Sequence, residues 1–423
     1  MNHNPLFSES TVTKMNNYQC WHHHRAKIIC ISVIVLAIVV FTLSLIIKFV
    51  ILAPRKSETT ISTTIIISTP SITTEVSSTT IPQTTTTTTS NQQLVWRNTS
   101  KLINARYRHT ASVLTDGKVL VTGGYSGLYQ LSSTELYDPS TGRWTLSGNM
   151  NNARELHTTS VLTNGKVLVA GGESSHGYLY AAELYDPSTG VWTVTDTMQH
   201  ARAEHTATVL PNGKVLVTGG YNGGSYLDSA ELYDSSTETW TNTSNMNSGR
   251  EHHTASVLKD GRVLVAGGSD YRNQYNAELY DPLTEIWTYT GNMTAGRQSH
   301  TASVLANGKV LVTGGTHDHT NSAELYDPAT ETWTTIHNMK DGRFDHTASV
   351  LANGKVLIAG GYSDHALDSA ELYDPFTESW MTIGNMNHIR SDHTASILTN
   401  EKVLVAGGYD HSGVNTAELY ESF

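Results

Sequence analysis

The chain has 423 residues, 15% of them charged and 8% aromatic, and a net charge of −11. Residues 1–56 carry six basic side chains against one acidic, so the remainder carries −16, which excludes the basic footprint a nucleic-acid partner needs. Both cysteines, Cys20 and Cys30, lie early, which leaves everything beyond them without disulfides, thiolate metal sites or a cysteine nucleophile.

In chain order, residues 1–27 are polar and read as a short cytoplasmic tail. Ile28 to Ile47 is uncharged and long enough to cross a bilayer as a helix, which takes ~20 residues. A cleaved signal peptide has an apolar core of only ~7–15 residues, so residues 28–52 are predicted to be an uncleaved signal anchor. Its flanks tie in charge: Lys14, Arg25 and Lys27 precede it, and Lys48, Arg55 and Lys56 follow. Residues 53–93 break the tie. Of the 34 residues from Ser57 to Ser90, 22 are Ser or Thr, the composition of an O-glycosylated stalk that cannot bury a core. N-glycosylation sequons begin at Asn98, Asn242 and Asn292. Together these features predict a type II, single-pass membrane protein whose remaining chain is extracellular or lumenal.

Residues 94–423 repeat one sentence. His300 to Gly315 reads H-T-A-S-V-L-A-N-G-K-V-L-V-T-G-G, and A-E-L-Y-D-P-A-T-E-T-W follows from Ala323. The first histidine recurs at His109, His157, His205, His253, His300, His346 and His393, a period that signals a solenoid or a propeller. Each unit offers four strands. H-T-A-S-V-L is strand a. An Asn-Gly or Asp-Gly pair such as Asn164-Gly165 predicts a type I′ hairpin. K-V-L-V is an apolar strand b buried on both faces. A-E-L-Y-D is strand c, and an Asp-Pro type I turn leads to strand d around a Trp. In the last unit Asn400-Glu401 replaces the Gly, so that hairpin is strained or of another type.

The Gly-Gly after strand b, the Tyr of strand c (Tyr137 to Tyr420, seven times) and the downstream Trp resemble the kelch family. The resemblance implies an all-β, seven-bladed propeller. The ends sharpen it. Trp96 and Arg106 keep the register of an orphan strand d, and the chain stops in an orphan strand c at Tyr420. Blade seven is therefore predicted to take strands a to c from the C-terminus and strand d from the N-terminus, which closes the ring.

In such an array the b–c loops and d–a crossings share one variable face, and variable loops on a rigid scaffold are where binding lives. The predicted ligand-binding residues are Tyr125, Tyr178, Tyr221, Tyr271, Tyr362 and Tyr409 of the b–c loops, with further rings at Tyr129, Tyr180, Tyr226 and Tyr275. Arg106 and, three residues before each later histidine, Arg154, Arg202, Arg250, Arg297, Arg343 and Arg390 could bind an anion; the alternative is pairing with strand c carboxylates such as Glu183, Glu324 and Glu371. No cofactor is expected, although His317, His319, Asp364, His365, Asp410 and His411 have the chemistry of divalent-metal ligands.

The expected function is a membrane-anchored binding module for a protein or glycan. The alternative is an extracellular carbohydrate or aldehyde oxidase, since such oxidases have kelch-like propellers. Their copper cofactor joins a tyrosine to a cysteine, and residues 94–423 have no cysteine. No G-x-S-x-G, H-E-x-x-H or P-loop motif is present either. An intracellular adaptor would need a preceding dimerisation domain, for which residues 1–93 are too short and too biased.

Overall fold

The computed structural model describes residues 95–270, 274–315 and 321–421. The predicted tail, anchor and stalk, and the candidates Tyr271, His317 and His319, lie outside them. Among the described residues no helix is long and apolar enough to cross a membrane.

Seven four-stranded antiparallel sheets make up the fold. Blade one comprises strand a Thr110–Val113, b Val119–Thr122, c Thr134–Asp138 and d Arg143–Leu146. Each later blade repeats this order, and the innermost strands neighbour one another in a closed circle. Blade seven joins Thr394–Ile397, Val403–Ala406 and Ala417–Glu421 to Val95–Asn98 from the other end of the propeller. Val95 pairs with Glu421 and Asn98 with Glu418, which is the predicted closure.

The core lies between blades. Strand b alternates with period two, and both its faces are buried. Val119 and Val121 pack with Tyr137 and Trp144 against Leu404, Ala406 and Ala417 of blade seven. Leu120 faces the other way, with Met150, against Val167, Val169, Tyr185 and Trp192 of blade two. The same arrangement recurs around the ring, which is why K-V-L-V is apolar without a break.

The a–b turn is not the predicted type I′, because the Asn or Asp keeps a negative φ and only the next residue is left-handed. Gly117 N–H donates to Leu114 O, and Leu114 N–H to Lys118 O. The loop is therefore three residues, a type I turn followed by a left-handed residue. Asp116 Oδ1 accepts from Lys118 N–H and fixes the turn. In blade seven Glu401 takes the glycine's place at φ 65° with the same hydrogen bond to Leu398 O, so that hairpin is the strained one of the two alternatives. The Asp-Pro turn closes one residue later than a type I turn, by Gly142 N–H to Asp138 O.

Candidate functional site

The seven arginines are scaffold, which corrects their assignment to a ligand. All are 0–1% exposed. Each Nη2 lies 2.7–3.1 Å from a strand c carboxylate: Glu135, Glu183, Glu231, Glu278, Glu324, Glu371 and Glu418 in turn. Each Nη1 donates to the carbonyl of the first glycine of the Gly-Gly pair, as Arg154 does to Gly171 at 2.7 Å. Burial opposes ionisation of Glu183, but the Asn151 N–H and the Arg154 guanidinium outweigh it and hold the carboxyl below its ordinary range. An anionic ligand cannot reach these groups without unmaking the blade. Here the alternative reading, pairing with strand c, is the observed one.

The histidines form a second structural ring. Each Nε2 lies 2.9–3.1 Å from a Thr Oγ1 of the preceding blade's strand a, and His109 with Thr394 closes the circle. Burial and the neighbouring guanidinium push these imidazoles far down, to about 3 for His109 and His346, so they are neutral near pH 7. Gly-Gly serves the same junction: a Cβ on Gly123 would meet Arg154 O at 2.6 Å, and one on Gly124 would meet Tyr107 O at 2.7 Å.

Between each invariant Arg and His lie two positions that do not repeat, and these build the mouth of the channel. The second of them is Arg108, Leu156, Glu204, His252, Ser299, Asp345 or Asp392, each at a left-handed φ of 48–57°. Their backbones form a closed circle in which every N–H donates to the carbonyl of the preceding blade's equivalent at 3.0–3.2 Å, with Arg108 donating to Asp392. A left-handed non-glycine residue costs about 1–2 kcal/mol. Seven in register are held by this circle, six residue types among them, and Leu156, Glu204, His252, Ser299 and Asp345 line a cavity of about 270 Å3. Backbone strain of this kind concentrates at functional sites.

The mouth is acidic and coupled. His252 Nε2 lies 2.7 Å from Glu204 Oε2, and Arg108 sits 3.6 Å from Glu155 and 3.7 Å from Asp392. Burial, then repulsion from Glu204, raises Glu251 to about 7. Burial, then Asp345, raises Asp392 to about 7. Burial disfavours the charged form of His252, but Glu204 outweighs it and raises the imidazole. Glu204, Glu251 and His252 are the one group among the described residues with ligand atoms close enough, within 4.8 Å of one another, to hold a metal ion. Two carboxylates and an imidazole suit a divalent cation, but Glu204 already satisfies both neighbours. Among the described residues, the metal candidates Asp364, His365, Asp410 and His411 do not gather into such a group; Asp364, His365 and His411 are exposed, and His411 lies 3.8 Å from Asp410.

The tyrosines rim the same face. Tyr125 and Tyr409 flank Tyr107 at 5.6 and 5.2 Å between ring centres, and Tyr178 meets Tyr221 edge-on at 5.6 Å. Tyr362 lies 5.5 Å from Phe344. Tyr107, Ala203, Phe344 and Ser391, each the first residue after an Arg, bridge to the b–c loop residues Tyr125, Tyr221, Tyr362 and Tyr409, so rim and mouth are one surface. Asn98, Asn242 and Asn292 are exposed, the first two on outer strands. The crossings before each histidine were legible as variable, but not which of their residues meet, because only closure of the ring brings them to one mouth. The signal was the unequal pair between each Arg and His.

The KLHDC2/KLHL20/DRC7 Kelch-repeats domain matches this chain at residues 75–268, 157–351 and 204–408, overlapping frames of one array. No curated protein matches. Among solved structures the chain is similar to a novel fungal alcohol oxidase with catalytic diversity among the AA5 family, in complex with copper. The identity is 20% and the TM-score 0.65, over 78% of this chain and 76% of that one. At that identity the likeness is one of fold. Seven sheets in a closed ring, the Gly-Gly, Tyr and Trp in every blade and the matched spans lead to one conclusion: the chain belongs to the kelch-repeat family.

Proposed function

We propose that this protein is a membrane-tethered kelch propeller that captures a protein ligand at the channel mouth by a basic side chain. The observation that carries this is the ring of unlike residues at the axis. Five carboxyl groups, Glu155, Glu204, Glu251, Asp345 and Asp392, share the mouth with Arg108 and His252. Crowding keeps part of that acid protonated at neutral pH; an inserted guanidinium or ammonium releases the protons and relieves the repulsion. Half-buried tyrosines around it supply flat apolar contact for the flanking segment. Val95 begins strand d at the end where the c–d turns lie, opposite the variable face. The uncharged stretch Ile28 to Ile47, the Ser/Thr-rich residues 57–90 and the exposed sequons support an extracellular or lumenal propeller.

The test is binding of the full-length chain in detergent to peptide pools that differ only in charge. Arg- and Lys-bearing peptides are expected to bind, and the double substitution Glu251→Gln, Asp392→Asn to weaken them at least about tenfold, the scale of one charge-assisted hydrogen bond. Equal binding of acidic peptides, or no effect of the substitutions, would refute the reading. A glycosidase-induced gel shift of protein from cells tests the topology separately. The oxidase alternative gains nothing from the residues, since 94–423 lack the cysteine its cofactor needs.

A further inference from the structure

Among the seven residues of the mouth circle there is one hydroxyl, that of Ser299. Its Oγ lies 3.4 Å from Nδ1 of His252, the preceding residue of the circle. The other ring nitrogen of His252, Nε2, lies 2.7 Å from Oε2 of Glu204, the residue before that. Three consecutive crossings thus set a serine, a histidine and a glutamate in a row, the arrangement that activates a serine for attack. Such a set is recognised by geometry and not by sequence order.

Each member fixes the next. Burial opposes ionisation of Glu204, but hydrogen bonds from His252 and Glu251 outweigh it and hold the carboxyl below its ordinary range. Glu204 accepts the Nε2 proton, which sets the tautomer and leaves the Nδ1 lone pair facing the hydroxyl. The backbone fixes the spacing: Ser299 N–H donates to His252 O at 3.1 Å, with Ser299 at φ 52°. A separation of 3.4 Å is long, and contacts of this kind tighten when substrate binds. Asp345, on the far side, also accepts from the Ser299 hydroxyl; burial raises that carboxyl, and its acid form is the weaker acceptor. All three groups are open to solvent. The Glu204 side chain is 18% exposed and that of His252 32%, Ser299 is half-buried, and the three line the cavity of about 270 Å3. Small-ligand sites run from about 300 Å3 upwards, so this one takes a short acyl group, with Leu156 as its apolar wall. The carboxyls of the mouth repel an anion and favour a cationic group on the substrate.

We infer that the channel mouth hydrolyses small esters and thioesters that carry a cationic group, with Ser299 as nucleophile, His252 as general base and Glu204 positioning the imidazole. Ser299 Oγ bonds to the carbonyl carbon as its proton passes to His252 Nδ1. The bond from that carbon to the alcohol or thiol breaks, and the leaving group takes the proton. Water then attacks the acyl-serine and gives a proton to Nδ1; the bond to Oγ breaks, Oγ regains the proton, and the acid is released. Arg108 is the one fixed cation of the circle, and its field reaches Glu204 and Asp345, so it is the charge available to the oxyanion. The inference uses the same mouth as protein capture but does not rest on it.

The experiment follows hydrolysis of acetylthiocholine and of its neutral isostere, 3,3-dimethylbutyl thioacetate, by the full-length chain in detergent. A fluorophosphonate label is mapped by peptide mass spectrometry in parallel. The cationic thioester should have the higher kcat/KM by at least about tenfold, the scale of one charge contact, and the label should sit on Ser299. Ser299→Gly removes the hydroxyl and suits the left-handed φ. It should lose the label and at least about a hundredfold in turnover, the scale of losing an activated group, while the melting temperature holds or rises. His252→Gln should lose the label as well. Binding of the charged peptides, read on the same preparation, tells failure of capture from failure of hydrolysis. Undiminished turnover in Ser299→Gly, a label elsewhere or none, or turnover abolished by a chelator overturns the inference; equal kcat/KM for the two thioesters overturns its substrate class.

Discussion

The indole Nε1 of Trp96 donates to the carbonyl of Gly384 at 2.8 Å, joining residues 288 apart. The same ring lies 5.2 Å from that of Tyr420. One side chain thus anchors the orphan strand both to its own sheet and to blade six. Trp96→Ala should cost about 3–5 kcal/mol, the range for a buried aromatic. The measurement is chemical denaturation of the full chain, with cooperativity retained. An unchanged midpoint would mean that the ring does not depend on this closure.

The histidine circle sets a pH dependence. Folding lowers each imidazole far below its ordinary 6.5, by burial first and the adjacent guanidinium second. The unfolded chain therefore binds more protons than the folded one between about pH 6.5 and 3. Stability contributed by these groups is complete above pH 6.5 and declines as the pH falls towards 3. His346→Gln removes one group and should make melting temperature less steep in pH below 6.5, by up to about 1.4 kcal/mol per pH unit. A melting profile flat from pH 7 to 4.5 would contradict it.

The strand c tyrosines are not equivalent. Tyr326 OH bonds Thr290 Oγ1 at 2.7 Å, and Tyr185 OH bonds Ser147 Oγ at 2.7 Å. Three residues after the preceding Trp, blades five and six carry Ile336 and Ile383 instead of Ser or Thr. Tyr373 and Tyr420 are accordingly left with buried, unpartnered hydroxyls, and burial drives both to about 12. Tyr326→Phe should cost about 1 kcal/mol, the net value of a hydrogen bond, while Tyr373→Phe is neutral or stabilising. Equal losses in the two variants, by denaturant titration, would defeat this account.

The channel mouth predicts the opposite sense of titration. Glu251 and Asp392 are raised to about 7, by burial and by Glu204 and Asp345 respectively. A basic side chain binds the deprotonated forms, so its affinity should rise between pH 6 and 8 and release protons. Of the groups facing it, Arg108 stays cationic and Glu204 anionic throughout, burial raises Glu155 and Asp345, and loss of the His252 charge, held above its ordinary range by Glu204, adds to the rise. Calorimetry in two buffers of different ionisation enthalpy measures the proton release; affinity independent of pH would rule it out.

Period, turn residues and apolar runs decide local structure and which faces must be buried, and these are written in each repeat. So the four strands, the seven blades and even the split blade were legible: Trp96 and Tyr420 keep the register of a pair that the chain never places side by side in sequence. The left-handed turn residue was legible as well, but not the turn type, because Asn-Gly suits a two-residue and a three-residue loop alike and only the strand register chooses. Pairing of the arginines with strand c was legible as one of two readings, but the choice between them was not. Arg250 and Glu278 are 28 residues apart, and nothing in their spacing says that both end 2.7 Å apart and dry. What only the tertiary structure decided is convergence. Rotation about a common axis brings Arg108, Glu204, His252 and Asp392 into one mouth, though they come from four different repeats. The sequence alone determined the wall; closing the wall into a circle determined which of its unequal residues meet.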